Sequence, residues 1–98
     1  MYKKYNRTVL GLKFSAEKKD LVWEKGKVYP GLDKNNYRND ICGDLMKYED
    51  YGCTLSEYGW EIDHIIPVSQ LGLDSLSNLQ PLQWENNRKK GDNTDWEC

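Results

Sequence analysis

The stretch that decides the reading is Gly59-Trp60-Glu61-Ile62-Asp63-His64-Ile65-Ile66-Pro67-Val68, followed further on by Asn78-Leu79-Gln80-Pro81-Leu82 and by Trp84-Glu85-Asn86-Asn87-Arg88-Lys89-Lys90-Gly91. In an extended segment successive side chains alternate, so Trp60 and Ile62 share one face while Glu61 and Asp63 share the other. Asp63 then points away from the apolar side. Residues 79–82 form a second short apolar run, and Pro81 restricts it to an edge strand. Trp84 to Lys90 reads as a short helix ended by Gly91. Gly72, Asp74, Ser75 and Ser77 make the connector rich in turn formers. The order strand, loop, short strand, helix predicts a small α+β core.

Asp63 and His64 are adjacent, and His64 is the only histidine. A strand ending at Asp63 would let both turn toward one site. A carboxylate offers the hard, anionic oxygen that Mg²⁺ prefers. A neutral imidazole can take a proton from water near neutral pH. Hydrolysis of a phosphodiester needs both: an activated water, and neutralisation of charge on the phosphoryl group and leaving oxygen.

Working toward the N-terminus, residues 49–52 read as a turn and residues 41–48 as a strand with Gly43 as a bulge. Residues 32–40 are polar and read as a loop or short helix carrying Tyr37 and Arg38, and Pro30-Gly31 is a turn. Ser15 can cap a helix over residues 16–24, stopped by Gly26, with Leu21, Val22 and Trp23 as its apolar face. Residues 1–14 carry no firm signal.

A length of 98 residues allows one domain, 1–98, and a domain this short is marginal without large anchors, which four Trp and seven Tyr supply. Trp60 and Trp84 are expected in the core. No apolar run is long enough for a membrane span or a signal core, so no membrane partner and a cytoplasmic location are expected. Cys42, Cys53 and Cys98 are odd in number and contain no C-x-x-C pair, so no disulfide framework is expected. Cys42 and Cys53 read as small, partly buried residues and Cys98 as a mobile end. The net charge of −2 argues against tight non-specific DNA binding. Its distribution is uneven, however. Residues 1–30 hold eight Lys/Arg against three acids, residues 31–66 three against eight, and residues 67–98 three against five. The acidic middle suits a cation. The basic first third could face a phosphate backbone or be a solvated surface.

With these residues in place, the chain resembles the HNH endonucleases over about residues 58–92, with 14 residues from His64 to Asn78 and nine from Asn78 to Asn87. Tyr37-Arg38-Asn39-Asp40 and Tyr51-Gly52 are similar to small stand-alone bacterial members. The resemblance implies a ββα-metal (His-Me finger) core, here with an N-terminal helix and extra short strands. It implies a metal-dependent endonuclease hydrolysing DNA, double-stranded by preference, through one divalent cation, leaving 5′-phosphate and 3′-hydroxyl ends. Asp63 would hold the metal, His64 would be the general base, and Asn78 would pin the loop and orient His64. Asn87 stands where the family often has a last His, giving an H-N-N variant. An amide oxygen suits Mg²⁺ or Mn²⁺ better than softer metals. Asn86 is the alternative ligand if the helix register differs by one. Gln83 and Asn86 stand where many relatives carry cysteines, so no structural zinc is expected, and Trp84 would replace that metal with packing.

Arg88 and Lys90 either contact DNA phosphates or form a solvated helix end with Lys89. Arg38 either clamps a phosphate or pairs with Asp40. The rival functional reading is a nucleic-acid-binding module that keeps the fold without cutting; a protein partner for targeting fits either reading. A third is a protein-interaction domain in which the tryptophans mark the surface.

Overall fold

The structure is a computed structural model and describes residues 4–98. Lys3, one of the basic residues of the first third, lies outside the described residues. Seven main elements follow one another: α1 (Ala16–Trp23), β1 (Lys27–Val28), β2 (Tyr37–Asn39), β3 (Leu45–Lys47), β4 (Trp60–His64), β5 (Leu79–Gln83) and α2 (Trp84–Lys90). Single 3₁₀ turns occur at Tyr48–Asp50, Val68–Gln70 and Leu76–Asn78. The strands form two antiparallel sheets, β1-β2-β3 and β4-β5. This is a mixed α+β architecture compatible with the small ββα core.

Helix α1 starts because the Ser15 hydroxyl accepts from the Lys18 amide at 3.1 Å. Its buried face is Val22 and Trp23 only; Leu21 is 47% exposed, so the expected apolar face is one residue narrower. The core gathers Val22, Trp23, Met46, Trp60, Ile62 and Leu79, with Tyr48 and Tyr51 packed against it. The Trp60 ring lies 4.9 Å from Trp23 and 4.7 Å from Tyr51, centroid to centroid. Trp84, in contrast, sits half-buried outside this cluster, its indole donating to the Ser56 carbonyl.

The β4-β5 pairing runs from Trp60 opposite Gln83 to His64 opposite Leu79. Pro81 faces Ile62 and is tolerated because a two-stranded sheet consists of edges. The connector closes on Asn78, whose Oδ1 accepts from Ile66 N (2.8 Å) and whose Nδ2 donates to Ile66 O (3.1 Å) and Leu73 O (2.9 Å). Gly72 is required here: a Cβ would lie 1.7 Å from the Ile66 carbonyl oxygen.

Upstream, three expectations need correction. Residues 41–44 turn instead of extending, because Asp40 Oδ1 accepts from the Cys42 and Asp44 amides, leaving only Leu45–Lys47 as strand. The polar segment 32–40 supplies strand β2, paired to β3. Cys42 and Cys98 form a disulfide with Cα atoms 5.4 Å apart, so Cys98 is tied down and not a loose end. Cys53 stays free and half-buried. Among the described residues, no helix is long and apolar enough to cross a membrane.

Candidate active site

Strand β4 and helix α2 build the site between them. Glu61 and Asp63, two residues apart, share the face of β4 that α2 covers. Asn87 and Lys90, three apart, share the opposing face of α2. The Asp63 side chain is fully buried. Its Oδ2 accepts from Gln80, the residue opposite it in β5, at 2.9 Å. Its Oδ1 makes an ion pair with Lys90 Nζ at 3.2 Å. The same ammonium donates to the His64 carbonyl at 3.0 Å. Asn87 is 1% exposed, and its Nδ2 donates to Glu61 Oε1 at 3.0 Å. That bond fixes the amide so that Oδ1 is the free acceptor, and this buried oxygen has no hydrogen-bond partner. Arg88 covers the Glu61 carboxylate through Nη2 (2.9 Å) and stacks 4.0 Å over the Tyr5 ring.

His64 is the last residue of β4 and pairs with Leu79, so the strand does not end at Asp63. The two side chains consequently diverge. Asp63 meets Lys90, while the buried imidazole meets Phe14 (ring centroids 6.0 Å) and places Nε2 2.8 Å from Asp74 Oδ1. His64 also lines a cavity of about 380 Å³ together with Arg7, Val9 and Val68. Asp74 carries no signal in the sequence beyond being a turn former. Its carboxylate is also held by the Val9 amide, at 3.0 and 3.1 Å.

Asn86 faces away from β4, giving Nδ2 to Asp40 Oδ2 (2.9 Å) and Asp44 Oδ2 (2.6 Å). Two of the residues read as phosphate contacts are engaged within the protein. Arg38 is 8% exposed and gives its guanidinium to the Glu24, Gly26 and Lys34 carbonyls and not to Asp40. Lys90 is 3% exposed and sits on Asp63, so it is not a solvated helix end. Arg88 alone of the three keeps a partly open side chain.

Residues 52–96 match the family model described as HNH endonuclease, so this segment is similar to that family. No curated protein and no solved structure matches it. The family acts on nucleic acid with a divalent metal, and the donor set can be tested against that. Among the described residues, no group of three or more His, Cys, Asp or Glu could hold an ion by itself. The oxygens at the β4-α2 interface are hard donors, one anionic and one a buried amide oxygen without a partner. Mg²⁺ keeps several waters and takes one or two carboxylates plus substrate phosphate, so a sparse, all-oxygen set fits it.

Proposed function

We propose that the protein is a metal-dependent DNA endonuclease in which Asp63 and Asn87 hold one Mg²⁺ or Mn²⁺ and His64 is the general base. The observation that carries this is the buried Asn87 Oδ1 without a partner, since such an oxygen costs stability unless a ligand uses it. When bound, the cation supplies Lewis-acid stabilisation of charge on the phosphoryl group and leaving oxygen.

The remaining work falls to the chain. Gln80 holds Asp63 Oδ2, and Glu61 holds the Asn87 amide nitrogen, so each ligand oxygen is oriented before a cation arrives. Asp74 accepts from His64 Nε2–H, which leaves Nδ1 as the nitrogen able to take a proton from water. Asn78 closes the connector that carries Asp74 onto the end of β4.

The Lys90–Asp63 ion pair supports the second reading, a binding module that does not cut, because it already neutralises the carboxylate. Plasmid cleavage separates the two. His64→Ala should abolish nicking in Mg²⁺ or Mn²⁺ while cation binding by calorimetry survives, and Asp63→Ala or Asn87→Ala should weaken the binding itself. Undiminished nicking by His64→Ala would refute the base assignment. Binding of DNA with no nicking by the wild type in either cation would favour the second reading.

A further inference from the structure

The segment 4–13 lies outside the matched HNH segment, yet it is fastened to the site at two points. Asn6 is buried in a left-handed conformation (φ 56°), and its Oδ1 accepts from the Ile62 amide of β4 (2.9 Å) and from the Tyr51 hydroxyl (2.8 Å). Three residues on, the Val9 amide donates to both oxygens of Asp74, whose Oδ1 also holds His64. A turn closed by Gly11 N to Thr8 O (2.8 Å) and Thr8 N to Leu12 O (2.8 Å) brings the strap back on itself. Between and beside these anchors stand Lys4, Arg7 and Lys13.

Two cavities open along this strap. The one of about 380 Å³ places Lys4 and Arg7 across from His64, with Val9, Leu10 and Val68 as its apolar walls and Asp92 at one side. The other, about 500 Å³, is lined by Arg7, Lys13 and Arg88 beside Glu61. Arg7 lines both, so the cavities adjoin and present one row of cations running past the imidazole. A nucleic-acid strand alternates anionic phosphates with apolar sugar faces, which is the alternation this row and these walls offer.

We infer that the N-terminal strap is the substrate-gripping wall of the site: Lys4 and Arg7 hold the phosphates beside the one His64 addresses, and Lys13 the next along the same DNA strand. The strap residues are more open than Arg38 and Lys90, which are buried on partners within the protein. It rests on the reading of His64 as general base only in naming the bound strand as substrate.

The test is binding of a short fluorescent DNA duplex to the His64→Ala protein, followed by anisotropy as salt is raised. Each phosphate contact contributes about 0.9 to the slope of log K against log salt. Lys4→Ala with Arg7→Ala should therefore flatten the slope by about 2 and weaken binding by about eightfold per lost contact in 0.1 M salt. Lys4→Glu alone, at an exposed position, should weaken binding further than Lys4→Ala. Lys27→Ala with Lys34→Ala, exposed on the other sheet's side, should change neither quantity. An unchanged slope and affinity in the strap variants, or an equal loss in the Lys27/Lys34 variant, would overturn the proposal. A flattened slope in a protein that cuts no DNA in any divalent cation would keep the strap assignment and remove the nuclease reading.

Discussion

Replacing Lys90 with Met isolates the electrostatics of the site. The ammonium is almost fully buried and is a charge set against the buried Asp63 carboxylate. Met keeps most of the aliphatic stem and removes the charge. Breaking a buried ion pair from one side costs about 3–5 kcal/mol, because the other charge stays in a low-dielectric surrounding. A chain of 98 residues has a total stability of about 5–15 kcal/mol. Each kcal/mol moves the melting temperature of a chain this size by about 4–8 °C, so in EDTA the variant should melt roughly 12–40 °C below wild type. Magnesium should then recover part of that loss, since a cation on Asp63 replaces the missing charge. At a hundredfold excess over its dissociation constant the recovery is about 2.7 kcal/mol. In wild type the same cation must first displace Lys90, so its stabilising effect should be smaller. Thermal melts by circular dichroism, with EDTA and across a Mg²⁺ titration, measure both quantities. Equal melting temperatures of Lys90→Met with and without Mg²⁺ would refute the reasoning, as would a Mg²⁺ response that persists in Asp63→Ala with Lys90→Met.

Asp74→Ala removes the acceptor on His64 Nε2 and should lower kcat on the order of ten- to a hundredfold, the effect of losing a group that orients a working imidazole; Asp74→Asn, which keeps an acceptor, should recover part of it, and an unchanged kcat in both would contradict the role. Reducing the Cys42–Cys98 disulfide releases a closure of 56 residues and should cost about 4 kcal/mol by the chain-entropy relation, read as a lowered melting temperature in dithiothreitol; no shift would contradict it. Burial raises the Tyr51 pKa above its ordinary 10.0 against the lowering effect of its bond to Asn6. Because the unfolded chain gives up that proton first, stability is full below about pH 10 and falls as pH climbs from there toward the folded value. Urea melts at about pH 9 and about pH 11 should show this loss in wild type and a smaller one in Tyr51→Phe; equal losses would exclude Tyr51 as the cause.

What could be read from the chain was local. Ser15 before α1, the alternation through β4, Pro81 in an edge strand and Gly91 after α2 each act within a few residues, so their consequences appear in sequence. What could not be read was tertiary. The Cys42–Cys98 bridge depends on where the chain runs after α2, which no spacing encodes. Arg38 looked like an accessible cation because nothing in its neighbourhood reveals that the carbonyls after α1 converge on it. Lys90 fits a solvated helix end by position; only the packing of α2 on β4 turns it inward onto Asp63. The divergence of Asp63 and His64 has a similar origin, since pairing with Leu79 extends the strand by one residue past the expected end. The adjacency of Asn6 and Val9 to the site was hidden for the same reason, in a segment whose sequence gives no element.

The most direct measurement is a crystal of the wild-type protein grown with Mn²⁺ and examined by anomalous scattering. One strong peak is expected, bonded to Asp63 Oδ1 and Asn87 Oδ1, with the Lys90 ammonium moved off the carboxylate. Lys90 still seated on Asp63, with no peak at Asn87 or with manganese bound elsewhere on the protein, would contradict this.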